Sequence, residues 1–376
     1  MTGSVAAVVL AAGLSSRMGE FKPLLPLGGC TALERSVTLF QRAGIRDVRV
    51  VTGHRSEELA PIITRLCGRI VGNPRYRDGM FTSVAAGVGS LESGVEAFFV
   101  LPVDLPLVRP STIERLLHAF RQERADVVYP VFMGERGHPP LIAGRLARDI
   151  AGWQGHGGLR GALAQWEQGA VEVEVADELI LRDMDTPDDY LWLRERANRL
   201  QVPTATECRA LLEKVLRVDE RIIRHGREVA RLAVELGAQL NRSGGSLDLQ
   251  LLAAAGLLHD LARHEPDHAP AGARLLQELG FDAVAELVAS HMDIAFSGRE
   301  PISEAPVLYL ADKLVCGERR VPLTERFSPV LERHAGNPEI IGKVRGRLLA
   351  ARLIQERLES MIGHPVPLTP QPASSE

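Results

Sequence analysis

Val8–Gly29 of this 376-residue chain reads VVLAAGLSSRMGEFKPLLPLGG. An apolar run breaks at Gly13 into a loop that carries Arg17, Gly19 and Lys22, and a second apolar run follows. A strand buried on both faces reads as a continuous hydrophobic run, and an open parallel sheet binds ligands beyond the carboxyl ends of its strands. Gly13 and Gly19 let backbone N–H groups approach phosphate oxygens with no Cβ in the way. Arg17 adds a planar fork and Lys22 a point charge to the same loop. The spacing matches neither the Walker pattern nor the dinucleotide G-x-G-x-x-G, which argues against an ordinary ATPase or dehydrogenase.

Outward from that stretch, apolar runs (DVRVVTG, AFFVLPVD, DVVYPV) alternate with helical patterns (ALERSVTLFQRAG, SEELAPIITRLCG, STIERLLHAFRQER). AVEVEVAD and ELILRDMD read as late strands, and Ser111 as a helix N-cap. The pattern predicts a doubly wound, Rossmann-like α/β domain of parallel strands over residues 1–198. After Glu207 the β-branched runs vanish and long helical patterns take over, predicting an all-α helical bundle over 207–360. A linker at 199–206 separates the two, and a Pro/Ser-rich tail at 361–376 is expected to be disordered.

Composition narrows the function classes. Hydrophobic residues make up 45% and charged residues 24%, with a net charge of −4, so no general attraction to nucleic acid or anionic membranes is expected. Cys30, Cys67, Cys208 and Cys316 are scattered with no C-x-x-C pair, as in reduced cytoplasmic proteins. VAAVVLAAG is short and lacks a basic flank, so it reads as a buried strand and not a signal peptide. No apolar run reaches the roughly 18 residues that span a bilayer. The expected location is cytoplasmic.

LAAGLSSRMGEFKPLLP resembles the signature of the MobA-like nucleotidyltransferases, and within them the molybdenum cofactor cytidylyltransferase branch. The resemblance covers roughly the first 195 residues. It implies a Rossmann-like fold that transfers a nucleoside monophosphate from an NTP to a phosphorylated acceptor and releases pyrophosphate. It further implies nucleotide binding by Ala11, Ala12, Gly13, Arg17, Gly19, Lys22, Ser83 and Asp104, with Lys22, Arg17 and Asp104 catalytic. Asp104, in LPVDLPLV, matches the position that holds Mg²⁺, and Asp185, in DMDTPDDY, is the candidate second ligand. GNPRYRDGMFTSVAAGV resembles the nucleobase segment, while RGHPPLI, containing His138, and GHGGLRGAL resemble acceptor-side loops. Ala11 and Ala12 stand where the guanylyl branch tends to carry glycines, which leans towards CTP over GTP. The partners implied are CTP or another NTP, molybdenum cofactor and a molybdoenzyme; a sugar or alcohol phosphate remains an alternative acceptor. His54 reads as structural.

The second half has its own chemistry. His259-Asp260 falls in LLAAAGLLHDLARH, an apolar setting that would otherwise avoid charge, and a buried Asp beside a His calls for a partner such as a metal. His225, His268, His291 and Asp312 supply further donors. Together they resemble the H…HD…D pattern of the HD-domain metal-dependent phosphohydrolases over about residues 215–320, particularly a branch that hydrolyses dinucleoside polyphosphates. The resemblance implies a first divalent metal on His225, His259, Asp260 and Asp312, a second on His268 and His291, and a phosphate contact at Lys313. Nitrogen and oxygen donors leave Fe, Mn, Co, Ni and Zn open. The whole reads as a bifunctional enzyme; a cofactor carrier or insertion chaperone with a regulatory bundle is the alternative.

Overall fold

The computed structural model describes residues 4–368. The chain forms two compact units that divide between Leu200 and Gln201.

The first unit is built on one mixed sheet. Its strands are β1 (Ser4–Leu10), β2 (Asp47–Thr52), β3 (Arg69–Gly72), β4 (Val95–Pro102), β5 (Val127–Phe132), β6 (Glu135–Arg136), β7 (Leu141–Ala143) and β8 (Ala170–Glu174). They lie in the order β8-β5-β7-β4-β1-β2-β3, with β6 paired to β5. The opening strand is therefore central: β1 pairs in parallel with both β2 and β4, and Ala6, Ala7, Val8 and Val9 are fully buried. Helix Met80–Gly89 rides directly on this centre because Gly87 has no side chain; a Cβ there would stand 2.3 Å from Val8 Cγ1.

Three local expectations are corrected. The sheet is not wholly parallel, since β7 runs antiparallel to β4 and β5. This three-residue strand is too short to show a period in the sequence. ELIL is a 3₁₀ turn at Glu178–Leu181 and not a strand: the buried Asp177 carboxylate accepts from Leu179 N and also from Arg109 N and Thr112 Oγ1, which bends the chain. Ser111 sits inside helix Pro110–Glu123, whose N-cap is Arg109; the Asp177 carboxylate again satisfies that end.

The second unit is a helical bundle. Thr204 and Glu207 form a capping box that starts the first short helix, Ala205–Ala210. The main helices are Glu220–Arg242, Leu249–Leu258, His268–Glu278, Asp282–Ser290, Glu304–Lys313, Leu323–Arg333 and Pro338–Ile362. Glu220–Arg242 and Leu249–Leu258 pack at very short range, because a Cβ on Gly256 would meet Ala230 Cα at 2.4 Å. The last helix continues to Ile362 and Val366 is buried, so the tail expected from 361 onward is packed at its beginning. Residues 369–376 of that tail lie outside the described residues.

Candidate active sites

In the first unit the loop after β1 closes around a charged centre. Ser15 takes a left-handed backbone (φ 55°), and its Oγ accepts from Lys22 N at 3.1 Å. That bond turns the chain so that Lys22 points back into the mouth of the sheet. Its Nζ lies 3.3 Å from Asp104 Oδ2 and 2.7 Å from Asp185 Oδ1. Arg17, with a side chain 75% exposed, reaches Asp185 Oδ2 at 2.8 Å. Asp104 follows the end of β4, and its carbonyl accepts from Met184 N at 2.9 Å, which holds the DMD segment beside it. Asp185 is not a helix cap: Thr186 caps helix Pro187–Ala197 in a box with Asp189, leaving the Asp185 carboxylate to the cations.

A cleft of about 220 Å³ opens over this centre, lined by Ala12, Gly13, Arg17, Lys22, Ser83, Asp104 and Asp185 among others. Ser83 is held by Asn73, whose Nδ2 donates to its Oγ at 2.9 Å. Of the residues expected to bind nucleotide, Ala11 does not line the cleft: it is fully buried and its N–H is spent on Val51 O. Gly19 is outside the lining, but its positive φ of 76° shapes the loop. His138 is near and outside it too. Burial pushes its imidazole pKa down, against the opposing pull of Asp104. His54 packs edge-on against Phe21, 5.7 Å between centroids.

Ser15, Tyr76, Met80 and Asp183 lie inside the stretches singled out in the sequence but were not named there as site residues. The first three are in the cleft lining. Asp183 has a raised pKa through partial burial and the neighbouring Asp185 and Asp104 carboxylates. Its spacing two residues before Asp185 was the one available signal.

In the second unit the expected donors converge. His259 and His291 occupy the C-caps of Leu249–Leu258 and Asp282–Ser290, where helix carbonyls lack intrahelical partners. His259 Nδ1 faces Gly256 O at 2.8 Å and His291 Nδ1 faces Val288 O at 2.7 Å. His225 Nδ1 faces Gly317 O at 2.9 Å. A ring that donates through Nδ1 directs the Nε2 lone pair elsewhere, which is the usual outer support of a metal-binding histidine. The Nε2 atoms of His259, His268 and His291 are buried and make no hydrogen bond.

Those atoms crowd around two carboxylates. His268 and His291 Nε2 lie 3.2 and 3.5 Å from Asp260 Oδ1, and His259 Nε2 lies 3.6 Å from both Asp260 Oδ2 and Asp312 Oδ1. His225 Nε2 is 3.4 Å from Asp312 Oδ1. Among the described residues, donor groups within 4.8 Å form two triads, His225/His259/Asp260 and Asp260/His268/His291, sharing Asp260. Burial resists charge on both carboxylates. The surrounding imidazoles and Arg263 still hold Asp260 far below the carboxylate range, and Lys313, His225 and His259 do so for Asp312. Orphaned imidazole nitrogens aimed at ionised carboxylates fit a divalent cation better than they fit one another. Lys313 is itself buried and committed to Asp312 and His291 O. Arg263 was also missed; it pairs with Asp260 from one turn onward, at 2.8 Å.

Residues 7–171 match the MobA-like NTP transferase domain. The molybdenum cofactor cytidylyltransferase of Escherichia coli (strain K12) is 32% identical over 190 residues, covering 50% of this chain and 95% of that one. The chain belongs to the MobA-like NTP transferase family. Its second unit carries an HD domain, matched over residues 222–315. The bifunctional IPC transferase and DIPP synthase of Rubrobacter xylanophilus is 38% identical over 151 residues, but the chain spans only 34% of that protein's length. A solved nucleotidyl transferase from Methanothermobacter thermautotroptrophicus is 28% identical, with a TM-score of 0.45 over 52% of this chain and 99% of that one. Among the described residues, no helix is long and apolar enough to cross a membrane.

Proposed function

We propose that the first unit transfers CMP from CTP to a molybdopterin-type cofactor, and that the HD unit is a metal-dependent phosphohydrolase. The observation that carries the first part is Lys22 standing between Asp104 and Asp185 over the cleft, with Arg17 on the same carboxylate. An oxygen of the acceptor phosphate attacks the α-phosphorus, the bond to the bridging oxygen of the β-phosphate breaks, and pyrophosphate leaves with the charge. Lys22 and Arg17 neutralise phosphate oxygens as that charge builds, and the loop fixes their positions beforehand. Asp104 and Asp185 offer the hard oxygen donors that Mg²⁺ prefers, and the ion would supply further neutralisation of the phosphates. Ala12, bearing a methyl in the cleft lining, favours the smaller pyrimidine.

The similarity to a molybdenum cofactor cytidylyltransferase along nearly that protein's whole length supports both nucleotide and acceptor. A sugar or alcohol phosphate is the alternative acceptor class. Pyrophosphate release with molybdenum cofactor against an alcohol phosphate as acceptor tests the choice.

In the second unit His225, His259, Asp260 and Asp312 would hold one divalent metal, and His268 and His291 a second with Asp260 shared. Such a centre supplies an activated water and a clamp on the scissile phosphate. The protein's own contribution is orientation: three imidazoles are locked by backbone carbonyls, and Lys313 is fixed beside them. Metal content and phosphate release by His259→Ala test this half; unchanged metal and unchanged release would reject it.

A further inference from the structure

Of the three imidazoles held by backbone carbonyls, two are set by their own helices and one is not. His259 and His291 face Gly256 O and Val288 O, each three residues back in the chain. His225 faces Gly317 O at 2.9 Å, and that carbonyl belongs to a residue 92 positions further along. Gly317 sits in a small hairpin, Val315–Cys316 paired antiparallel with Arg319–Arg320, which starts just after helix Glu304–Lys313 ends. The hairpin is thus joined to Asp312 through the chain and to His225 through a hydrogen bond. Those two side chains meet at 3.4 Å, His225 Nε2 to Asp312 Oδ1.

The local sequence builds the hairpin for this purpose. Gly317-Glu318 is a two-residue loop in which Gly317 alone has a positive φ, 62°, as at the first position of a type II′ turn. A Cβ on Gly317 would meet nothing within 4 Å, so the glycine supplies backbone freedom and not space. Arg320 fastens the hairpin to the helix that carries His225. Its side chain is fully buried, with Nε 2.8 Å from Glu228 Oε1 and Nη1 2.7 Å from Glu235 Oε2. Glu228 follows His225 by three residues on helix Glu220–Arg242, and Glu235 follows Glu228 by seven, spacings that keep all three on one face. Arg224 also reaches Glu318 at 2.9 Å, but that pair is exposed and holds weakly.

We propose that this hairpin orients the first metal site: Gly317 and Arg320 are positioning residues that fix the His225 ring, and the second site, on Asp260, His268 and His291, does not depend on them. This assignment rests on the metal-dependent phosphohydrolase reading of the HD unit and adds residues outside its ligand set. A ring that donates through Nδ1 presents its Nε2 lone pair in one direction. Released from Gly317 O, His225 turns freely and exchanges tautomers, and the first site loses a preorganised nitrogen. The two metals therefore differ in what holds them, and one can be weakened without the other.

The test measures Mn²⁺ binding by calorimetry on the full chain after chelator treatment. Every protein carries Asp104→Asn, which removes a candidate metal carboxylate from the first unit. His225→Ala and His268→Ala identify which class of binding belongs to which site. Gly317→Val, strained at that φ but colliding with nothing, should weaken the His225-dependent class about 10–100-fold, the usual cost of losing an outer partner. The His268-dependent class should stay at the parent value. Gly317→Asn, which tolerates the left-handed backbone, should restore the first class. Arg320→Gln should act in the same direction as Gly317→Val, and parental affinity in that variant would overturn its part in the device. General loss of structure would weaken both classes together and would not be reversed by asparagine. Unchanged first-class affinity in Gly317→Val, or equal weakening of both classes, overturns the proposal. If His225→Ala weakens Mn²⁺ binding and Gly317→Val does not, the metal centre stands and the hairpin's role falls. If neither histidine variant alters binding, the metal reading falls and takes the proposal with it. Metal classes that behave as proposed, with no phosphate release from any phosphate ester or condensed phosphate, keep the hairpin's role and remove the hydrolase.

Discussion

Lys22 holds the proposed transfer site together, because its ammonium contacts both carboxylates and its backbone N–H is tied to Ser15. Lys22→Ala should cut pyrophosphate release by about 10²–10³-fold, the usual cost of losing one preorganised electrostatic contact, with the circular dichroism spectrum unchanged. Activity within a few fold of wild type would contradict that role. His138 gives a pH signature. Burial holds its imidazole below the ordinary value of 6.5. As pH falls through 6.5 the unfolded chain takes up a proton that the folded chain still refuses, so this contribution is present above 6.5 and is lost towards the lower folded value. His138→Gln should therefore flatten the acid side of the first unit's unfolding midpoint against pH; parallel curves for variant and wild type would refute it.

At the scale of elements, the second site depends on how closely two helices approach. Gly256 lets Leu249–Leu258 sit against Ala230, and its carbonyl orients His259, whose ring centroid lies 5.2 Å from that of His225. Gly256→Ala should destabilise the bundle by about 1–3 kcal/mol through overpacking and reduce metal binding as the two histidines separate. Metal content equal to wild type in a protein with a lowered melting temperature would separate packing from the site. Much of this was legible in the sequence. Continuous apolar runs announced the buried central strands, and His259-Asp260 stood out as polar residues in an apolar run. What the sequence hid was local and long-range in origin. The β7 strand is only three residues long, and the turn at Glu178–Leu181 is imposed by Asp177, which also binds Arg109 and Thr112 far away in the chain. Asp183 and Arg263 matter through their neighbours in space, which spacing alone did not disclose.

At the scale of the whole molecule, the two proposed chemistries draw on separate residue sets in separate units. Asp104→Asn should abolish pyrophosphate release while leaving metal content and phosphate release intact. His259→Ala should do the reverse. Loss of both activities in either variant would show that the two sites are not independent. The most direct measurement follows pyrophosphate release by the full chain with Mg²⁺ and molybdenum cofactor, offering CTP, GTP and ATP in parallel and using Asp104→Asn as the control. Release with CTP alone, absent in the control, is the predicted result. Release with GTP or ATP in preference to CTP, or equal release by the control, would contradict it.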